Sequence, residues 1–395
     1  MDALHLLSAR RIAAAVTAGD ISAEEVTLHH LDRIAEHEHL NAVITVTRTH
    51  ALALARAQPS GPLAGVPLLV KDVFDTAGVR TTYGSGIFRD HVPVRSATSV
   101  RRLVDAGAIV LGKANLHEFA WGVTSRNQAY GAVVNSARPD RIPGGSSGGN
   151  ASALAAGLCA LGLGTDTGAS IRLPAAACGV AGFKPAFGSI PADGLWPLAP
   201  SFDHVGPLAR SLDDCALAFD ALRGAPLAER DPAGLRVREL PAGAVDATTA
   251  GFVTAAGLPD APELVRLHLA ECAEVHRELY AEHRDDYDSD LHAKLAAGFA
   301  VGREERARLV NDLGAWRAAC AAQCEWDILV SPVFPGELPP ADVPATMELT
   351  DRMTAYTRPI NWLGWPSAVT ADGAMHTGLD EAAVLAHARA WESLS

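Results

Sequence analysis

Residues 144–185 read GGSSGGNASALAAGLCALGLGTDTGASIRLPAAACGVAGFKP, and this stretch decides the fold. Its opening, GGSSGG, is too rich in glycine for regular structure and places Ser146 and Ser147 before an alanine-rich stretch. Because alanine is the strongest helix former, residues 150–160 are predicted to be helical. A glycine-rich turn often serves only to reverse and cap the chain, and this one lacks the lysine of a phosphate-binding loop.

A second turn carries another serine, 24 positions after Ser146. Residues 161–166 predict a strand, the turn GTDTGAS ends at Ser170, and a helix is predicted from about Pro174. Serines at helix N-termini become nucleophiles when a base lies beside them. These serines would therefore need a basic side chain close to them in the fold.

Lys71 is the candidate base. It follows the apolar run 65–70, which predicts a short buried strand, and apolar residues resume at Val73. Burial disfavours the charged ammonium group and so lowers the pKa of a lysine. A neutral amine can accept a proton from a serine, and the residues alone therefore suggest Ser–Lys nucleophilic chemistry.

The remaining chain alternates helices with short buried strands, which is typical of α/β proteins. A helix at 96–106 precedes a buried strand at 108–112, and residues 226–262 show little periodicity. The other predicted elements are two helices in 1–57 with a capping box at Ser22 and Glu25, a helix at 211–222, two or three amphipathic helices in 263–325, a strand at 327–332, and helices near 350–363 and 380–393.

Composition limits the classes of protein. The 395 residues carry a formal net charge of −13, with 48% hydrophobic and 20% charged residues. These values exclude a mostly disordered chain and disfavour general binding of nucleic acid or anionic membranes. No apolar run reaches the about 20 residues of a membrane helix, and the first residues lack a signal-peptide pattern. Cys320 and Cys324 lie one helical turn apart without a second ligand pair, so buried thiols are favoured over zinc. We expect a soluble, cytoplasmic protein.

Three separated blocks in a fixed order connect the chain to a known family. Residues 65–85 read GVPLLVKDVFDTAGVRTTYGS, and residues 107–122 read GAIVLGKANLHEFAWG. Together with 144–185 they resemble the amidase signature family, in register from about residue 6 to 224. The resemblance returns at DILVSPVFP and TRPINWLGWPS. It implies an α/β fold with a mixed, twisted β-sheet core covered by helices on both faces.

The resemblance also implies a Ser–Ser–Lys triad. Ser170 matches the family's nucleophile, Ser146 matches the bridging serine on a cis peptide bond, and Lys71 matches the base. Ser147 is expected to have a structural role within its loop. The family needs no metal or organic cofactor. The backbone N–H groups expected to face the oxyanion are those of Thr167, Gly168, Ala169 and Ser170.

Other residues near the motifs are given supporting roles. Asp166 and Arg172 flank the nucleophile turn, where the resemblance favours bracing of the turn over contact with substrate. His117 invites a Ser–His–Asp mechanism, but it occupies no motif position. We therefore expect it in the pocket wall, together with Phe119 and Trp121. Aromatic residues near the motifs suggest an apolar acyl pocket, although ordinary core filling explains them equally well.

Two departures from the family pattern concern activity. The family commonly has Gly-Gly-Ser at the nucleophile, whereas this chain has Gly168-Ala169-Ser170. Ala169 is tolerated if its φ is negative. The region after about 225 is abbreviated, and the strand before the last helix looks reduced to a few residues. Since this region shapes the acyl pocket in the family, the substrate does not follow from the resemblance.

We expect a single amidase signature domain over residues 1–395, comprising N-terminal helices (1–60), a catalytic core (61–225) and an abbreviated helical and substrate-pocket region (226–395). The predicted function is hydrolysis of a small-molecule carboxylic amide to an acid and ammonia or amine, through an acyl-enzyme on Ser170. The alternatives are the amidase (glutaminase) subunit of a tRNA-dependent amidotransferase, and an ester or carbamate hydrolase. We also expect a homodimer formed through the N-terminal helices. A non-catalytic binding protein is disfavoured because all three triad positions are filled.

Overall fold

The computed structural model describes residues 4–243 and 245–394. The strands of these residues form one sheet: β1 (Val43–Val46), β2 (Pro67–Lys71), β3 (Ile109–Ala114), β4 (Leu161–Asp166), β5 (Ala181–Lys184), β6 (His204–Ala209), β7 (Val237–Glu239), β8 (Ile328–Pro332), β9 (Ser367–Val369) and β10 (Ala374–Thr377). The α-helices are α1 (Ala9–Ala18), α2 (Ala23–Glu36), α3 (Arg48–Arg56), α4 (Thr98–Asp105), α5 (Gly148–Ala155), α6 (Arg172–Cys178), α7 (Leu212–Arg223), α8 (Thr249–Ala255), α9 (Leu264–His283), α10 (Leu291–Phe299), α11 (Arg303–Gln323), α12 (Met347–Met353), α13 (Arg358–Leu363) and α14 (Glu381–Glu392).

The sheet is mixed, with the strand order β1-β3-β2-β4-β6-β5-β9-β10-β8-β7. β2 lies parallel to β3 on one side and to β4 on the other. β4 then pairs antiparallel with β6, and β5 pairs antiparallel with β9. Because β2 and β4 run parallel, Lys71 and Asp166, at their carboxyl ends, lie at the same edge of the sheet.

Buried side chains pack against both faces of the sheet. Leu68 and Val70 of β2 join one cluster of buried hydrophobic residues, whereas Leu69 joins another. This alternation follows from the pleat, which directs successive side chains to opposite faces. The predicted α/β fold, with a mixed sheet core covered on both faces, is confirmed.

The two ends of the chain contain more elements than the sequence predicted. Residues 4–57 hold three α-helices rather than two, and β1 lies between α2 and α3. β1 is the run VITV, which favours a strand but is too short to show a clear period. The helix predicted near 350–363 is two helices, because Pro359 lies in the first turn of α13. The reduced strand before α14 is the pair of short strands β9 and β10, and residues 226–262 hold β7 and α8.

Helix ends are capped by side chains. The predicted capping box is present: Ser22 N donates to Glu25 Oε2 at 2.9 Å, and Glu25 N donates to Ser22 Oγ at 3.1 Å. Asp214, in the first turn of α7, accepts hydrogen bonds from Ala9 N at 2.8 Å and Arg10 N at 3.1 Å, and so caps α1. No helix in the described ranges is both long and apolar enough to cross a membrane.

Candidate active site

Lys71 is fully buried at the end of β2. Its Nζ donates to Ser146 Oγ at 2.7 Å and to Thr165 Oγ1 at 2.8 Å. Burial lowers the pKa of Lys71 to about 7, although the carboxylates of Asp166 and Asp203 act in the opposite direction. A large share of this lysine is therefore the neutral amine at neutral pH.

The peptide bond between Gly145 and Ser146 is cis. The loop around it is tightly enclosed: Ser125 Oγ donates to Gly144 O at 2.8 Å. A Cβ atom at Gly145 would come within 2.7 Å of Gly122 O, so glycine is required at this position. The loop therefore holds the Ser146 hydroxyl in one place, beside Lys71.

Ser147 joins the two serine-bearing turns. Its backbone N–H donates to Ser170 O at 3.2 Å, and its Oγ donates to Thr165 O at 3.4 Å. Both bonds are buried. Ser147 thus fixes the GGSSGG loop against the turn that carries Ser170.

Ser170 follows β4 and lies just before α6, with 7% of its surface exposed. Within the part of the chain that the structure describes, no group accepts a hydrogen bond from the backbone N–H of Gly168, Ala169 or Ser170. These donors remain available to a developing oxyanion. The φ of Ala169 is not positive, so its methyl group fits the turn. No hydrogen bond joins the hydroxyls of Ser146 and Ser170 among the described residues.

An ion pair braces the turn that carries Ser170. Arg172 Nη2 lies 2.9 Å from Asp166 Oδ1, and both side chains are fully buried. Burial raises the pKa of Asp166, but the Arg172 guanidinium outweighs it and holds this pKa well below its usual range. Asn361 Nδ2 donates to Asp166 Oδ1 at 2.9 Å and to Asp166 O at 2.8 Å. Neither Asp166 nor Arg172 lines the cavity beside Ser170.

A second carboxylate holds the other side of the turn. Thr167 Oγ1 donates to Asp203 Oδ1 at 2.6 Å. Asp203 also accepts from Leu198 N at 2.9 Å and Ala199 N at 3.1 Å. Burial raises the pKa of Asp203, and these hydrogen bonds oppose that shift. Thr167, which lines the cavity beside Ser170, is thus tied to a neighbouring loop.

A cavity opens on the turn that carries Ser170. Most of its wall is apolar, and three charged side chains also reach it. The lining residues are Ala120, Trp121, Gly122, Val123, Thr167, Gly168, Ala169, Ser170, Leu198, Val265, His268, Leu269, Lys294, Met347, Thr350, Asp351, Thr354 and Arg358. The arrangement places the Ser170 hydroxyl and N–H donors beside a largely apolar cavity.

Of the three predicted pocket residues, Trp121 alone lines this cavity. His117 lies in a neighbouring cavity, where its Nε2 contacts Asp290 Oδ2 at 3.1 Å. Phe119 is fully buried and packs in an aromatic cluster, 5.2 Å from Trp196 and 5.3 Å from Tyr287 between ring centroids. The expected placement of His117 and Phe119 in the Ser170 pocket wall is therefore corrected.

A protein-bound metal centre has no ligand set in the described residues. There, no group of three or more histidine, cysteine, aspartate or glutamate side chains is placed to hold a metal ion. Cys320 is buried, and Cys324 Sγ lies 3.1 Å from Trp326 O.

Sequence reasoning assigned no role to Thr165, Asp203, Asn361 or Arg358. Thr165 lies inside the turn GTDTGAS, and both Asn361 and Arg358 lie in the block TRPINWLGWPS. These three are polar residues within otherwise apolar motif blocks, and that pattern was the sequence signal by which they could have been found. Asp203 belongs to no motif, and its contact with Thr167 follows only from the antiparallel pairing of β4 with β6.

Residues 25–285 match the family model named Amidase. This chain belongs to the amidase family. A curated relative, a subunit of the glutamyl-tRNA(Gln) amidotransferase of Carboxydothermus hydrogenoformans, is 44% identical over 230 residues, which cover 56% of this chain and 47% of the relative. The matched segment thus spans about half the length of the curated relatives.

Solved structures of the amidase family match nearly the whole chain. A crystal structure of an amidase superposes with a TM-score of 0.86 at 28% identity, covering 98% of this chain and 100% of the other. The native peptide amidase from Stenotrophomonas maltophilia superposes with a TM-score of 0.78 at 26% identity, covering 98% and 97%. The chain therefore has the amidase signature fold.

Proposed function

We propose that this chain hydrolyses small carboxylic amides through an acyl-enzyme on Ser170. The contact of 2.7 Å between Lys71 Nζ and Ser146 Oγ carries the proposal. A fully buried lysine whose pKa is lowered to about 7 can act as a base at neutral pH. The cavity beside Ser170, with unused N–H donors in its wall, supplies a place for the reacting carbonyl group.

The reaction begins with two proton transfers. Neutral Lys71 accepts the hydroxyl proton of Ser146, and Ser146 accepts that of Ser170 as Ser170 Oγ bonds to the amide carbon. The N–H groups of Gly168, Ala169 and Ser170 stabilise the oxyanion, and one such donor typically contributes about 3–4 kcal/mol. Ser146 then gives one proton to the leaving nitrogen and regains one from Lys71 as the C–N bond breaks. Water then hydrolyses the ester on Ser170 and releases the acid.

The distance between the hydroxyl groups of Ser146 and Ser170 has to change for these proton transfers to occur. Ser146 and Ser170 share no hydrogen bond in the described structure, whereas proton transfer requires one. Catalytic hydrogen bonds often form only when substrate is bound. Ser147 already ties the two turns together, and we propose that the Ser170 side chain moves toward Ser146 when substrate binds.

A second candidate is the glutamine-hydrolysing subunit of a tRNA-dependent amidotransferase. The 44% identity over 230 residues to a subunit of a glutamyl-tRNA(Gln) amidotransferase favours it. The two functions share the same acyl-enzyme, and they differ in whether the chain works alone and in which amide it accepts. Ester or carbamate cleavage would use the same intermediate as well.

The test is release of ammonia or amine by the purified chain from glutamine, aliphatic amides, aromatic amides and anilides. We expect turnover of small amides by the chain alone and its loss in Ser170→Ala. A sulfonyl fluoride should label the wild type and not Ser170→Ala. Labelling with turnover of glutamine only, or only after a partner subunit is added, would favour the amidotransferase. Absence of both labelling and turnover would overturn the proposal.

A further inference from the structure

Three charged side chains line the cavity beside Ser170: Lys294, Asp351 and Arg358. Lys294 is already neutralised within the wall. Its Nζ donates to Trp121 O at 2.7 Å and to Asp290 Oδ2 at 2.7 Å, and the residue is 2% exposed. The ion pair of Arg358 with Asp351 is different, because its two members lie in different environments.

Arg358 is buried, whereas its carboxylate partner lies in solvent. The Arg358 side chain is 7% exposed and that of Asp351 is 56% exposed. Arg358 Nη1 donates to Asp351 Oδ1 at 2.8 Å, and Nη2 makes one long bond of 3.5 Å to Thr350 O. A guanidinium carries five N–H donors, and a buried charge is costly unless its donors are well paired. A ligand carboxylate entering the cavity could satisfy this guanidinium better than a solvated aspartate does.

His268 lies at the same wall, next to the nucleophile turn. A Cβ atom placed on Gly168 would lie 3.8 Å from Arg358 Cγ and 3.9 Å from His268 Cε1. The His268 ring stacks on Phe202 at 5.5 Å, and its buried Nδ1 has no hydrogen-bond partner among the described residues. Burial, with the charge of Arg358, lowers the pKa of His268 to about 3, so the ring is neutral and can donate or accept one hydrogen bond.

We infer that Arg358 binds the carboxylate of an amide substrate whose acyl part ends in an acid group. Arg358 pairs with the carboxylate, and the neutral His268 ring forms the wall beside it. The apolar walls formed by Trp121, Leu198, Leu269 and Met347 hold the carbon chain between this carboxylate and the amide. The substrate class is therefore the monoamides of straight-chain dicarboxylic acids, which lack the α-amino group of glutamine. This inference rests on the amide hydrolysis proposed above and specifies its substrate.

The test compares matched substrates. Monoamides of straight-chain dicarboxylic acids, such as succinamate and adipamate, are assayed against butanamide and hexanamide, which have the same numbers of carbons. A hydrogen-bonded ion pair predicts kcat/KM about ten- to a hundredfold higher for the acid member, mainly through KM. Arg358→Met should reduce this ratio by at least tenfold.

The controls separate binding from folding. Arg352→Met removes an exposed arginine of α12 that does not line this cavity, and it should retain the ratio. Asp351→Asn removes the competing carboxylate, so it should lower KM for the acid substrate. That second variant tests the inference even if Arg358→Met does not fold, which a thermal melt detects.

The outcomes distinguish the two proposals. Turnover of neutral amides with no preference for the acid, or a ratio unchanged in Arg358→Met, overturns the carboxylate inference and leaves amide hydrolysis intact. If no amide is turned over, protection of Ser170 from a sulfonyl fluoride by succinate or adipate still reports binding of the carboxylate. Lack of that protection in wild type overturns the inference as well.

Discussion

At the scale of single residues, the protonation state of Lys71 controls the proposed chemistry. Burial lowers its pKa from 10.5 to about 7, and the active form is the neutral amine. Activity should therefore rise as the pH increases through about 7 and reach a plateau above it, since deprotonation creates the base. The measurement is kcat/KM against pH, which reports the pKa of the free enzyme.

A variant of a hydrogen-bond partner of Lys71, and a variant of Lys71 itself, provide the controls for this pH profile. Thr165 Oγ1 accepts a hydrogen bond from Nζ, so Thr165→Val removes an acceptor that favours the ammonium form. The inflection of the kcat/KM profile of Thr165→Val should therefore lie at lower pH than that of the wild type. Lys71→Ala should lose activity at neutral pH and regain little of it in alkali. A profile that falls with pH, or wild-type-like turnover in Lys71→Ala, would contradict the assignment of the base.

The site residues that could be predicted from the sequence are those that lie within recognisable local motifs. Ser146, Ser170 and Lys71 each occupy a recognisable string, and the structure places Lys71 beside Ser146. The brace from Asn361 could not be predicted, because its contact with Asp166 joins positions 195 residues apart. Such long-range contacts depend on which strands become neighbours in the sheet. Local sequence periodicity carries no information about that strand order.

At the scale of elements, Asp214 shows how one side chain can serve two helices. The sequence pattern assigns it to the start of α7, where an acid favours the helix dipole. Its buried carboxylate also accepts from the first two N–H groups of α1, more than 200 residues away. Helix starts were predictable from composition, whereas this contact between helices depends on tertiary packing.

Asp214→Ala should lower the free energy of unfolding by about 1–3 kcal/mol, because it leaves the buried N–H group of Ala9 and the partly buried one of Arg10 without their acceptor. Asp213→Ala is the matched control: it removes the neighbouring acid of the same first turn, whose side chain is 57% exposed and pairs with Arg389. That change should cost less than about 1 kcal/mol, as surface ion pairs do. Urea unfolding of both variants measures the difference. Equal losses would show that only the helix dipole, and not the cap on α1, is affected.

At the scale of the whole molecule, one sheet joins the early and late parts of the chain. β9 pairs with β5, and β7 to β10 continue the sheet that β1 to β6 begin. The late part also brings Asn361 to the nucleophile turn, and His268 and Arg358 to the cavity. We therefore propose that the chain folds as a single unit, although its composition changes near residue 225. The homodimer stays a prediction, which light scattering of the purified chain can test.

A fragment ending at residue 225 tests this unity. It retains Lys71, Ser146 and Ser170, but it lacks β9, so the edge of β5 is left without its hydrogen-bonding strand. Exposed strand edges promote association, and Asp166 in this fragment would also lose Asn361. We expect the fragment to aggregate, and to show no labelling of Ser170 by a sulfonyl fluoride that labels the full chain. The full-length Ser170→Ala variant controls for labelling at other residues. A soluble, monomeric fragment with a cooperative thermal transition and a labelled Ser170 would show instead that the catalytic core folds independently, and that the later region only shapes the pocket.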